Sequence, residues 1–253
     1  MIDPLIAVGA ALLGYLFGSF SFAKIIGRIV APGKDISKVH YQVPGRDITI
    51  DMNVASATSA RYHLGPRYGC LISLLDMVKV ALPTLLVRLW QPDLPYHLIT
   101  ATTGIVGHNW PLYHGFRGGG GESAIIGGLF VIDWLAIVVT NAIGFVAGIA
   151  AGSLLVLRWT GFFLLVPWFW IVRGDWPQIL YAAGANVLYV LAIWKEVLPY
   201  LEAKKTGKAP TQEEIGEFLG MGKRFGRMMD QHNILTLFRK LRSKDRPGGS
   251  PLA

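Results

Sequence analysis

Two strings in this 253-residue chain hold residues whose types and spacing could do chemistry. The first is Gly107-His108-Asn109-Trp110-Pro111, followed by Phe116-Arg117-Gly118-Gly119-Gly120-Gly121-Glu122-Ser123. Four consecutive glycines let backbone N–H groups turn toward one point, and a helix beginning just after them adds its positive end. Together these make an anion site, with phosphate the natural ligand. The same glycines would also serve as a hinge between membrane helices. The second string, Leu74-Leu75-Asp76-Met77-Val78-Lys79-Val80-Ala81-Leu82-Pro83, sets Asp76 and Lys79 one turn apart on an apolar helix. Charges there are costly, so they either pair with each other and fix helix packing or face a polar cavity that holds another anion.

The elements that must carry these strings are membrane helices. With 52% hydrophobic and 16% charged residues and a mean hydropathy of +0.43, the chain is far from the composition of soluble domains. Its net charge of +8 lies between long apolar runs rather than on a polar domain, which excludes nucleic acid and favours a membrane with anionic lipid. Cys70, the one cysteine, rules out an internal disulfide or a multi-cysteine metal site and reads as a small buried residue. Apolar stretches at about 5–23, 68–90, 97–115, 124–141, 142–157, 159–172 and 177–196 predict an all-α polytopic bundle of about seven membrane helices. Gly144, Gly148, Gly152, Gly161 and Pro167 blur the boundaries between 122 and 172, and five spans is the alternative.

Lys24, Arg28, Lys34, Lys38, Arg46, Arg61 and Arg67 crowd the first loop, whereas Gln91 to His97 has no Lys or Arg. Basic loops stay inside, so the N-terminus is expected outside and the C-terminus in the cytoplasm of a bacterial plasma membrane. The membrane domain is expected over 1–202, a solvated linker with Glu213, Glu214 and Glu217 over 203–217, and a disordered tail over 244–253. Between them, over 218–243, Phe218, Met221, Phe225, Met228, Leu235 and Phe238 recur at helical spacing among Lys and Arg, predicting one amphipathic interfacial helix.

Taken in order, these strings resemble the bacterial acyl-phosphate:glycerol-3-phosphate acyltransferases, the PlsY family. The resemblance spans about 12–240 and includes Tyr15-Leu16-Phe17-Gly18-Ser19, Gly33-Lys34-Asp35-Ile36, the Leu75-Asp76 to Leu82-Pro83 helix and the glycine string. It implies acyl transfer from an acyl-phosphate to the 1-hydroxyl of glycerol 3-phosphate, with membrane lipids around the protein and no cofactor or metal. Beside the family pattern, His108 reads as a packing residue.

The departures fall on the chemistry. The family's first motif is Gly-Ser-Gly-Asn-x-Gly-Ala-Thr-Asn with an Arg three residues on, and it corresponds to Asp51–Ser59, reached through an insertion around His40 to Ile50. Only Ala57 and Thr58 are kept; the family's Ser falls on Met52 and its Arg on Tyr62, with Ser56 and Arg61 as neighbours a shifted loop would use instead. The Lys of the family's Gly-Gly-Lys-Gly is Gly120 here, so Arg117, Lys79 and Arg158 are the cations left to meet phosphate. In the third motif Asn233-Ile234 survive, whereas Asp230 stands where the His would be. His232 is displaced by two residues, about 200° around a helix, and does not replace it. The resemblance thus marks Ser56, Arg61 and Asn233 for catalysis and Arg117, Gly118, Gly119, Gly120, Gly121, Thr58, Lys79 and Arg158 for phosphate.

An activated acyl donor needs little more than two positioned anions and a stabilised oxyanion, and no Ser-His-Asp arrangement argues for an acyl-enzyme. A catalytically altered family member that only binds anionic lipid or phosphate compounds explains the losses at 52, 62, 120 and 230 together. A small transporter would draw on Asp76, Lys79 and Asp133, but the chain has no two similar halves.

Overall fold

The computed structural model describes residues 1–42, 49–207, 209–231 and Ile234. Helix α1, Pro4–Gly18, starts where the Asp3 carboxylate accepts from the amides of Leu5 and Ile6. After a break at 19–21, α2 (Phe22–Val30) begins at its cap Ser21. Two short strands, β1 (Lys38–Gln42) and β2 (Thr49–Asn53), pair antiparallel with Lys38 opposite Asn53. They form a hairpin out of the insertion, the one departure from an all-α fold among the described residues. Helix α3 (Ala57–Leu64) follows, and Gly65, at φ 99°, turns the chain into α4, Pro66–Trp90.

On α4 the buried residues Gly69, Ile72, Asp76, Lys79, Val80, Pro83, Thr84 and Val87 recur every three or four positions, which puts the Asp76–Lys79 string on the inward face. Cys70 lies off that stripe and is exposed, contrary to expectation, because an apolar position on a membrane helix faces lipid as readily as protein. Helix α5, Tyr96–Asn109, packs along α1 at backbone contact. A Cβ on Gly14 would lie 2.1 Å from the Thr100 carbonyl oxygen, and one on Gly18 would lie 2.2 Å from that of Gly104. Only glycine fits this crossing, the small-residue approach that joins helices in lipid.

A single 3-10 turn at Leu112–His114 leads to the glycine string and then to α6, Glu122–Ile132. Asp133 ends α6 and begins α7 (Trp134–Ala151), its Oδ1 accepting from Leu135 and Ala136 while its Oδ2 accepts from Arg173 Nε at 2.7 Å and Trp168 Nε1 at 3.1 Å. Helix α8 covers Leu154–Phe163, α9 is the short Leu165–Trp168, and a π turn at Phe169–Arg173 precedes α10, Trp176–Lys205. The glycines expected to blur boundaries act as contacts between α7 and α8: a Cβ on Gly148 would sit 2.3 Å from Leu157 Cβ.

Among the described residues, five segments are long and apolar enough to cross a membrane: Pro4–Val30, Pro66–Trp90, Trp134–Ala151, Leu154–Arg173 and Trp176–Trp194. This matches the alternative of five spans rather than the count of about seven. Helices α5 and α6 have 14 and 11 residues, which at about 1.5 Å per residue fall short of a core roughly 30 Å thick.

The chain divides into two units, Met1–Val139 with Phe163–Ala209, and Thr140–Phe162 with Pro210 onward. In the first, one end of the bundle gathers Lys24, Arg28, Lys34, Lys38, Arg61, Arg67 and Arg117 with α2, the hairpin and the glycine string. The opposite end holds Arg88 and Arg173 against Asp3, Asp93, Asp133 and Asp175. In the second unit, α11 (Gln212–Leu219) carries a capping box between Thr211 and Glu214, and α12 is Lys223–Gln231. The linker expected over 203–217 is therefore largely helical. The single helix expected from 218 is broken by Gly220 and Gly222, at φ 80° and 92°, and the tail 244–253 lies outside the described residues.

Candidate functional site

The sequence Gly33-Lys34-Asp35-Ile36-Ser37 closes a turn in which Asp35 Oδ1 accepts from the Ser37 hydroxyl at 2.6 Å and its amide at 3.0 Å. Those bonds, the hydroxyl's foremost, hold the Asp35 carboxyl below its ordinary value. Ile36 is buried with Ala23, Ala55, Ala60 and Ile72, an apolar floor joining α2, α3 and α4. Above it, Tyr62 Oη donates to the His40 carbonyl at 3.4 Å, and His63 Nε2 lies 2.8 Å from the Lys38 carbonyl oxygen, so α3 pins the hairpin in place.

At the far side of this floor, the chain leaving α5 is tied to α1. Tyr15 Oη donates to the Trp110 carbonyl at 3.2 Å, and Ser19 Oγ, donating to the Tyr15 carbonyl at 2.7 Å, accepts from the Leu112 amide at 3.3 Å. The Tyr15 to Ser19 segment thus fixes where residues 110–117 run. Between that loop and the hairpin opens a cleft of about 440 Å³, lined by Lys24, Ser37, Asn53, Val54, Ala55, His114, Gly115 and Arg117. Two cations, an imidazole, a hydroxyl and a carboxamide face it, and no carboxylate is among the described residues that line it. That is the complement of a small hydroxylated phosphate ester.

Of the candidates read from sequence, Arg117 alone lines this cleft. Ser56 is the cap of α3: its Oγ accepts from the Ser59 amide at 3.2 Å while Ser59 Oγ accepts from the Ser56 amide at 2.8 Å. A capping role predicts that Ser56→Ala loses about 1 kcal/mol of stability and that Ser56→Asp, an equally good cap, restores it. Thermal unfolding of both variants checks this; equal loss in Ser56→Ala and Ser56→Asp would rule the capping role out. Thr58 and Arg61 lie half-buried on α3 and are not among the residues that line the cleft. Arg158 is half-buried on α8 in the second unit, and Asn233 lies outside the described residues.

Lys79 is spent on structure. Its Nζ lies 2.8 Å from Asp76 Oδ1 and donates to the Phe20 carbonyl at 2.6 Å, both side chains being buried. His108 Nδ1 is 3.9 Å from the same carboxylate oxygen, and its other ring edge is pressed against the glycine string, where a Cβ on Gly119 would fall 2.3 Å from Nε2. His108 is a packing residue, as expected. The charges that suggested transport are likewise paired within the bundle, Asp76 with Lys79 and Asp133 with Arg173.

The glycine string departs from expectation. The amides of Gly118 and Gly119 donate, both at 3.1 Å, to the carbonyls of Asn109 and His108 at the end of α5. They cap a helix rather than cradle an anion, because the last carbonyls of α5 lack partners of their own. Gly120 and Gly121 remain at the start of α6, which has no side-chain cap; Glu122 there accepts from Tyr189 Oη, and the hydroxyls of Ser73 and Ser123 meet at 3.0 Å. Sequence reasoning missed Ser37, Asn53 and His114 and treated Lys24 as a topological marker. Lys24 and Arg28, one turn apart on a helix whose other face carries Ile25 and Ile29, were the available signal.

Known proteins are similar to this chain in sequence and fold. The family model described as glycerol-3-phosphate acyltransferase matches residues 8–198. A glycerol-3-phosphate acyltransferase of Shouchella clausii is 34% identical over 206 residues, covering 77% of this chain and 90% of that protein. One from Halalkalibacterium halodurans is 31% identical over 188 residues, covering 72% and 84%. The crystal structure of PlsY (YgiH), an integral membrane glycerol 3-phosphate acyltransferase, in its glycerol 3-phosphate form has a TM-score of 0.64 at 20% identity over 81% of this chain and 94% of that one. A lysophosphatidic acid form of the same protein matches with the same score. From the family match and the membrane-crossing helices, this chain is a multi-pass membrane protein that belongs to the glycerol-3-phosphate acyltransferase family.

Proposed function

We propose that this chain transfers an acyl group from an acyl-phosphate to the 1-hydroxyl of glycerol 3-phosphate, releasing lysophosphatidic acid and phosphate. The observation that carries this reading is the cleft: Lys24 and Arg117 supply fixed positive charge, Ser37 and Asn53 supply hydrogen bonds for hydroxyls, and no carboxylate among the described lining residues opposes an anion. Glycerol 3-phosphate binds with its phosphate on the two cations. The donor's acyl chain stays in lipid, and its phosphate comes to the same positively charged end of the bundle. Holding nucleophile and carbonyl together removes most of the entropy of the encounter, and the acyl-phosphate already carries a good leaving group. Excess Lys and Arg at this end, against two Arg and four Asp at the other, supports a cleft on the cytoplasmic side of a bacterial plasma membrane with the N-terminus outside.

The test is acylation of glycerol 3-phosphate by the purified protein in liposomes, with acyl-phosphate and acyl-CoA supplied separately. Transfer from acyl-phosphate alone supports the reading. Transfer from neither, by protein that is folded and still retains glycerol 3-phosphate, turns it toward a family member that binds phosphate compounds without turnover. The capping use of the Gly118 and Gly119 amides, together with glycine at 120, is the observation favouring that second reading.

A further inference from the structure

Among the residues lining the cleft, one is neither a fixed charge nor a neutral hydrogen-bonding group. His114, in the 3-10 turn after α5, faces the same space as Lys24, Ser37, Asn53 and Arg117. We infer that His114 is the proton acceptor of the transfer reaction, taking the hydrogen of the attacking hydroxyl as that oxygen bonds to the acyl carbon. The inference rests on the acyl-transfer reading above and adds a residue to it.

The chemistry balances in two steps. The hydroxyl oxygen attacks the acyl carbonyl carbon, its proton passes to the free imidazole nitrogen, and the bond from acyl carbon to phosphate oxygen breaks with its electron pair on phosphate. The imidazolium then returns the proton to the departing phosphate, which leaves as the monohydrogen ion. No oxidant, metal or further reactant enters.

The surroundings suit both steps. Lys24 and Arg28 from α2 and Lys79 from α4 bear on the imidazole, and Arg117 shares its loop. Burial, followed by the charges of Lys24, Arg28 and Lys79, pulls the His114 pKa below its ordinary value. The ring is therefore neutral at neutral pH and has a lone pair to offer. Once protonated it is one more positive charge among cations, which drives the proton on to the departing phosphate at the same end of the bundle. His114 is the one imidazole among the described lining residues. His114 is held there because the Tyr15 and Ser19 hydroxyls fix the chain at Trp110 and Leu112, so the turn cannot swing away.

The experiment compares wild type, His114→Gln and His114→Ala in liposomes, using acyl-phosphate and glycerol 3-phosphate over pH 5 to 8. Glutamine keeps a hydrogen-bonding side chain of similar reach but cannot accept the proton. The expected result is a kcat about 100-fold lower for His114→Gln with KM nearly unchanged, and partial recovery of His114→Ala by added imidazole. Wild-type kcat should fall as the pH drops through the lowered His114 pKa, because protonation removes the base; the variants should lack that limb. Both substrate phosphates titrate in the same range, but identically in all three proteins, so the difference between profiles belongs to the histidine. Equal kcat and matching profiles in wild type and His114→Gln would overturn the inference while leaving the acyl-transfer reading intact. A wild type that transfers nothing removes that reading and this role together.

Discussion

Lys79→Met is expected to destabilise the protein by about 3–5 kcal/mol, the usual cost of leaving one member of a buried ion pair alone. Asp76 is the group left behind, its side chain only 6% exposed, with His108 Nδ1 at 3.9 Å as the nearest remaining charge partner. The Phe20 carbonyl also loses its donor at the break between α1 and α2. The carboxylate is buried inside the bundle, so its penalty is not softened as it would be on an exposed surface. The double variant Asp76→Leu with Lys79→Met removes both charges and should recover most of the loss. Thermal unfolding in one detergent, with all three proteins side by side, reads the difference. A Lys79→Met protein as stable as wild type would mean that the pair does not hold the helices together.

The second large effect falls on substrate binding. Removing either Lys24 or Arg117 as alanine should raise KM for glycerol 3-phosphate about tenfold to a hundredfold, the worth of a hydrogen bond to a charged group, and removing both should raise it further. The cleft is open to solvent, so salt should weaken wild-type binding and matter less to the double variant. The change belongs in KM more than in kcat, because phosphate is held equally in substrate and transition state. This split also separates the two cations from His114, whose loss acts on kcat. Initial rates at varied glycerol 3-phosphate settle it. An unchanged KM in the double variant would move the phosphate to the start of α6, where Gly120 and Gly121 precede an uncapped helix.

Much of the fold can be read along the chain because helical periodicity is local. Asp76 and Lys79 are three residues apart on a helix, so their meeting follows once the segment is helical. The site is harder to read, because its residues lie far apart in sequence. Lys24, Asn53 and Arg117 come from α2, from the end of the hairpin and from the loop after α5. No spacing rule links them. The glycine string shows the opposite failure: its freedom to turn amides toward a ligand was legible, but the carbonyls at the end of α5 that take two of those amides were not.

By itself, then, the sequence determined the membrane class, the crowding of positive charge at one end and the one-turn spacing of Asp76 and Lys79 inside α4, all set by composition and by periods of a few residues. Tertiary structure decided which of the many cations meet a substrate. It brought Lys24, His114 and Arg117 to one cleft and gave the amides of Gly118 and Gly119 to the end of α5. The reason is physical: a side chain's role depends on what reaches it first, and in a bundle closed by glycine contacts between α1 and α5 the first neighbour usually comes from a distant part of the chain.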